Sequence, residues 1–206
     1  QRMVHSTVCL MSSVLSLTVT FRIQHSESRF VIVSGQQLPK IRRIISQLDC
    51  VEKVIVLDNI PAANAKEVSM EWVQALGDSY LFGHKAEFEE RYKSVKPDDY
   101  ATISYTSGTT ADPKGVLLTH RNYTANVEQA HSVIGVKPDS TMLIILPLDH
   151  CFAHVAGFYT MMSYCSSIAT VPVGANPLAT LRNIPIAIKE VRPHVMLSVP
   201  ALARNF

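Results

Sequence analysis

Few charges, few cysteines and no long apolar run: each shortage removes a class of function from this chain. Only 17% of its 206 residues are charged, the formal net charge is +2, and 47% are hydrophobic. A disordered, solvated segment needs the opposite balance, so the composition is that of a globular chain long enough for one domain or somewhat more. The basic residues form no continuous stripe. Arg42-Arg43 and Lys93 with Lys96 read as solvated helix faces, which argues against a nucleic-acid partner. Four cysteines, at 9, 50, 151 and 165, show neither Cys-x-x-Cys spacing nor a dense framework. They read as buried, reduced thiols in a cytoplasmic protein. No run reaches the roughly 18 apolar residues of a membrane span, which leaves only peripheral membrane contact open. There is no internal repeat and no low-complexity segment.

What the chain does have is Tyr105-Thr-Ser-Gly-Thr-Thr-Ala-Asp-Pro-Lys-Gly115. A polyphosphate needs many short donors close together. Backbone N–H groups near glycine and the hydroxyls of Thr106, Ser107, Thr109 and Thr110 supply them. Lys114 adds a point charge on a flexible stem that reaches a leaving pyrophosphate. Gly108 and Gly115 permit a turn or a close backbone approach, and Pro113 stiffens the exit. The apolar Tyr100–Tyr105 reads as a strand leading in, and Thr119 is placed to cap a helix starting at His120. Two competing readings fail. The P-loop pattern Gly-x4-Gly-Lys-Ser/Thr is not met, because the lysine precedes the second glycine and Val116 follows it. A plain Ser/Thr/Gly/Pro linker does not account for a strand before, a helix after and a lysine in register.

The remainder reads as strands alternating with helices. Phe30–Val33 is a strand, 38–48 carries apolar residues at helical spacing, and Val51–Leu57 is the next strand. Residues 60–64 form a loop, 68–76 and 86–92 short helices, and 96–99 a boundary. Beyond the phosphate loop come a helix over 120–134, a strand over 141–146, a helix over 152–164 and a strand over 168–173. A helix over 178–191, interrupted at Pro185, precedes a strand over 195–199. This order predicts an α/β fold with layered, parallel-rich sheets covered on both faces by helices. Val8–Phe21 is ambiguous between a secretory hydrophobic segment and a strand. Alternation at Leu15, Leu17, Val19 and Phe21, with no small-residue cleavage site, favours the strand.

Tyr-Thr-Ser-Gly-Thr-Thr-x-x-Pro-Lys-Gly resembles the signature loop of the adenylate-forming (AMP-binding) enzymes, the superfamily of acyl-CoA synthetases, luciferases and nonribosomal peptide adenylation domains. One departure is Ala111, where that family usually has glycine; the extra methyl trims backbone freedom there. Ser34-Gly-Gln-Gln-Leu38 with Val51–Leu57, and Leu197-Ser-Val-Pro-Ala201, are similar to segments on either side of the loop in fatty-acyl-CoA synthetases. So is Leu146-Pro-Leu-Asp-His150, which maps its histidine to His150. The resemblance implies that residues 25–206 are part of a large N-terminal AMP-binding domain, with 1–24 matching poorly. It also implies that His150 lines the junction of acyl and nucleotide pockets, orienting the carboxylate or gating the thiol tunnel.

The implied reaction joins a fatty acid to the α-phosphate of ATP, releases pyrophosphate, and passes the acyl group to coenzyme A, with Mg²⁺, Lys114 and the hydroxyl cluster stabilising charge. In the family the magnesium-holding glutamate, the ribose-binding aspartate, the hinge and the adenylation lysine all follow the region matched here. No metal ligand is therefore expected among these residues, and the chain alone is expected to have little or no ligase activity. His150 and His154, four apart with Asp149 and Cys151 nearby, raise a zinc reading, but the metalloprotease pattern needs glutamate where Cys151 stands. His154 reads as an ordinary packed histidine. The apolar Phe152, Val155, Phe158, Tyr159 and Met161 read either as an acyl-channel wall or as core. A non-catalytic nucleotide-binding or interaction module is the alternative to the ligase, supported by Ala111 and the stop at Phe206.

Overall fold

The computed structural model describes residues 16–106, 113–146, 148, 150–174 and 176–198, which fall into two compact units, Gln1–His120 and Arg121–Phe206.

In the first unit, α1 (Ser16–His25) leads into β1 (Phe30–Val33), α2 (Leu38–Ile44) with a 3₁₀ turn at Ile45–Gln47, β2 (Lys53–Val56) and β3 (Glu67–Ser69). The three strands are parallel in the order β1-β2-β3. Val31, Val33, Val54 and Val56 turn one face of this sheet into the core, where they meet Leu38, Ile41 and Ile44 of α2 and Val19 and Ile23 of α1. Their alternation with half-buried neighbours shows a sheet fully covered on one face, where the sequence pattern predicts two. The expected strand reaching Phe21 is instead the helix α1. Val19 and Ile23 are one helical turn apart and both fully buried, so tertiary packing overrides the period-two pattern. The part of that expectation over 8–15 lies outside the described residues.

β3 also departs from the expected helix over 68–76. Its first residue, Glu67, is a buried carboxylate, so no apolar alternation marks the strand. Arg42 of α2 grips it with Nε at 3.0 Å and a terminal nitrogen at 2.8 Å, while Ala63 N–H and Asn64 Nδ2 donate at 2.8 and 2.9 Å. These donors, the arginine first, hold the Glu67 carboxyl below its ordinary range against the opposing effect of burial. The two short helices expected next are one element, α3 (Met70–Lys93), capped by Ser69 Oγ accepting from Trp72 N–H at 3.1 Å. It breaks only at His84 (φ −129°, ψ 23°), whose ring stacks on Tyr80. α3 has no buried residue, and Trp72, Leu76 and Tyr80 are exposed along it.

The unit closes with the antiparallel hairpin β4 (Tyr100–Thr106) and β5 (Lys114–Thr119). β4 is as predicted. β5 is not, because its apolar run Val116-Leu117-Leu118 is too short to separate a strand from the lead-in to a helix.

The second unit holds α4 (His120–Val133, its first residue belonging to the hairpin unit), β6 (Thr141–Ile144), a π-helical segment (Ala153–Tyr159) continuing into α5 (Thr160–Ser163), β7 (Ser167–Thr170), α6 (Pro177–Val191) and β8 (Val195–Leu197). Its strands are parallel in the order β7-β6-β8. Crossovers of one hand running first to one side of β6 and then to the other put the helices on opposite faces. Consecutive burial of Met142, Leu143 and Ile144 agrees, so here the two-faced expectation holds. α6 continues through Pro185, starting from an Asn176 cap on Ala179 N–H at 2.9 Å and ending at Arg192 in the left-handed region (φ 48°). Cys151 and Cys165 are exposed and Cys50 half-buried, which corrects the expectation of buried thiols; Cys165 stands at φ 55° just past the end of α5, where the chain turns outward. Cys9 lies outside the described residues. No helix among the described residues is long and apolar enough to cross a membrane.

Candidate nucleotide-binding site

The strands of the hairpin carry three of the predicted site residues, Thr106, Lys114 and Gly115. In its ladder Thr106 stands opposite Lys114, and Tyr105 opposite Gly115. Directly opposed residues of an antiparallel pair project from the same face, and neighbours along a strand from opposite faces. Thr106 and Lys114 therefore share one face at the mouth of the hairpin, both exposed. Among the described residues Lys114 makes no salt bridge. Ser107, Gly108, Thr109 and Thr110, with Ala111, lie outside the described residues.

The other face is packed. A β-carbon on Gly115 would stand 3.0 Å from Ile103 Cγ2, 3.3 Å from Tyr105 Cε1 and 3.5 Å from His25 Cε1. A side chain at 115 would therefore crowd Ile103 first and the Tyr105 ring next. That ring is fixed to α1. With its hydrogen on the Arg22 carbonyl at 3.3 Å, the Tyr105 oxygen accepts from His25 Nδ1 at 2.8 Å. The Arg22 guanidinium lies 5.6 Å from the ring centre, and the His25 ring stacks on Phe21 at 5.2 Å. Burial, partly offset by Ser26 and Arg22, raises the Tyr105 phenol above its ordinary range and keeps it neutral. Neither His25 nor Arg22 was a predicted site residue. The only sequence signal for them is an aromatic at 105 facing a glycine.

In the second unit His150 follows the C-terminal end of β6, the central strand of the sheet β7-β6-β8. In open α/β sheets that is the place where ligands bind. His150 is exposed, and its Nδ1 accepts from Phe152 N–H at 3.2 Å. A ring nitrogen that accepts carries no proton, so a neutral His150 has its hydrogen on Nε2, free to donate. The helix that follows is π-wound over Ala153–Tyr159: the Thr160 N–H donates to the Val155 carbonyl five residues back, and Thr160 Oγ1 donates to the same carbonyl at 2.9 Å.

His154 is packed as expected, stacked on Tyr159 at 4.8 Å and beside Tyr123 at 5.9 Å. Burial lowers its pKa. The expected acyl wall separates into parts. Met161 is fully buried in the core with Met142, and Phe158 packs against that core, while Phe152 and Tyr159 are exposed. Elsewhere, a cavity of about 330 Å³ is lined by Val56, Ile60, Ala62, Val68 and Trp72, with the Glu67 carboxylate already saturated.

Comparison with known proteins matches residues 5–206 to one family, described as AMP-binding enzyme. The chain belongs to that family. Among its AMP-binding relatives are the long-chain-fatty-acid–CoA ligase ACSBG2 of Xenopus laevis, 28% identical over 86% of this chain and 24% of the relative. The peroxisomal long chain acyl-CoA synthetase 6 of Arabidopsis thaliana is 31% identical over 65% of this chain and 19% of its own length. The chain spans no more than 27% of the length of these and of the first-ranked curated relative. Among solved structures, the anthranilate CoA ligase AuaEII in complex with anthranoyl-AMP superposes with TM-score 0.75 at 17% identity, over 94% of this chain and 35% of that one. The N-terminal domain of FACL13 from Mycobacterium tuberculosis gives 0.68 at 24% identity, over 95% and 44%. The fold is therefore that of the N-terminal region of adenylate-forming enzymes.

Proposed function

We propose that this chain supplies the triphosphate-binding part of a fatty acid:CoA ligase of the AMP-forming type, acting on long-chain acids. The observation that carries the reading is the pairing of Thr106 with Lys114 at the mouth of the hairpin. A hydroxyl and an ammonium on one face fit the β- and γ-phosphates of ATP, which is a substrate of the reaction. Thr106, Ser107, Thr109, Thr110 and the amides of Gly108 and Gly115 bind the phosphates. Lys114 meets the charge that grows on pyrophosphate as the fatty carboxylate attacks the α-phosphate. His150, donating from Nε2, orients that carboxylate; coenzyme A then accepts the acyl group on its thiol. Free Cys50, Cys151 and Cys165 accord with a thiol-reducing compartment such as the cytoplasm.

Mg²⁺ would supply charge neutralisation at the phosphates when bound. Among the described residues no group of three His, Cys, Asp or Glu is placed to hold a metal; family resemblance assigns that ligand to a segment that follows the region matched here. In the family the ribose aspartate and the adenylation lysine likewise follow the region these residues match. We therefore propose that the chain binds nucleotide but catalyses no complete ligation.

Titration of ATP and of pyrophosphate into the chain, with Lys114→Ala as comparator, tests the site. Equal affinity in the two proteins removes Lys114 from it. Carboxylate-dependent pyrophosphate exchange tests the rest: none by this chain, and, after extension to family length, exchange with fatty acids in preference to acetate or an amino acid. Ala111 favours a second reading, a module that binds nucleotide without catalysis; nucleotide binding with no exchange after extension selects it.

A further inference from the structure

The packed face of the hairpin has a role that the phosphate chemistry alone does not explain. Tyr105 is the residue immediately before the first phosphate hydroxyl, Thr106, and its side chain points away from that face. Its oxygen is held from α1 by His25 Nδ1 at 2.8 Å and by the Arg22 carbonyl at 3.3 Å, some eighty residues earlier in the chain. The ring lies across Gly115, the residue immediately after Lys114, at a separation that leaves no room for a β-carbon without a shift. One side chain therefore touches both strands where they enter and leave the phosphate loop. β4 and β5 contain no fully buried residue, and the Tyr105 side chain ties them to α1.

We infer that His25 and Tyr105 are positioning residues that pin the phosphate hairpin to α1, setting the spacing of Thr106 and Lys114 for the phosphates. The inference rests on the reading given under Proposed function. It predicts specific behaviour in three variants. Tyr105→Phe keeps the ring over Gly115 but loses the hydroxyl; His25→Ala removes the donor; His25→Asn retains an N–H at about the place of Nδ1. A single lost hydrogen bond corresponds to roughly a 3- to 10-fold change in an equilibrium.

The test is pyrophosphate titration of the whole chain, with amide hydrogen exchange on the same proteins. Tyr105→Phe and His25→Ala are each expected to weaken pyrophosphate about 3- to 10-fold, His25→Asn to restore most of the loss seen in His25→Ala, and the double variant to be no worse than Tyr105→Phe alone, because that change already removes the bond from His25 together with the one to Arg22. In the unliganded chain, amides at 104–106 and 114–116 exchange faster in the two weakened variants while those of β1 and β2 are unchanged. If Lys114→Ala weakens binding and these variants do not, or if their effects add, the pinning role is wrong while the phosphate site stands. If Lys114→Ala has no effect, the phosphate site itself is wrong. Unchanged exchange at the hairpin overturns the pinning role whether or not pyrophosphate binds, and because His25 is exposed, its variants report even if Tyr105→Phe fails to fold.

Discussion

Lys114 stands directly opposite Thr106 across the β4–β5 ladder, so a cation and a hydroxyl separated by seven intervening residues emerge side by side. Removing the cation leaves the backbone amides and hydroxyls in place. Lys114→Ala is expected to weaken pyrophosphate and ATP by roughly 10- to 100-fold, with Lys114→Arg recovering part of it, since a charge-assisted hydrogen bond contributes about 1.5–3 kcal/mol. Calorimetric titration measures this directly, and the effect shrinks as salt is added.

Gly115→Ala places a methyl 3.0 Å from Ile103 Cγ2 and 3.3 Å from Tyr105 Cε1. Overpacking of that kind costs about 1–3 kcal/mol. Thermal unfolding is expected to report the loss, and Gly115→Val a larger one. Gly77, with open space where its β-carbon would go, serves as the control: Gly77→Ala within α3 is neutral or slightly stabilising.

Glu67 gives the first unit its acid sensitivity. Its folded carboxyl is held below the ordinary 4.5, so it contributes stability that is fully present above that value and lost as pH falls through the lowered one. Glu67→Gln leaves Arg42 half-buried without its partner and is expected to cost about 2 kcal/mol at neutral pH, and to flatten the decline in stability below pH about 4.5. Denaturant unfolding of the two proteins across the acid range checks both.

Met161 and Met162 are adjacent and have opposite environments, fully buried and half exposed. Met161→Ala is expected to destabilise the second unit by about 2–5 kcal/mol and Met162→Ala by less than about 0.5. A large loss of stability at 161 identifies it as core, which is why an apolar run read from sequence did not resolve wall from core: periodicity reports burial, not what lies on the far side.

Much of the fold was legible for the same reason. Valines alternating in β1 and β2, and the 3.6-residue spacing of Leu38, Ile41 and Ile44, report burial that local pattern encodes. The failures share a cause as well. α1 imitates a strand because its Ser and Thr residues fall at alternate positions, and β3 hides because its inward residue is a glutamate satisfied by Arg42 from another element. In the site, the phosphate-facing residues were legible because their chemistry is written in consecutive letters. His25 was not, since its contact with Tyr105 exists only after α1 and the hairpin pack.

The central claim, that the triphosphate tail sits at the mouth of the β4–β5 hairpin, is tested most directly by a crystal structure of the chain with a non-hydrolysable ATP analogue. The account predicts phosphate oxygens within hydrogen-bond reach of Lys114 Nζ and the Thr106 hydroxyl. A nucleotide bound elsewhere, with this hairpin untouched, would contradict it.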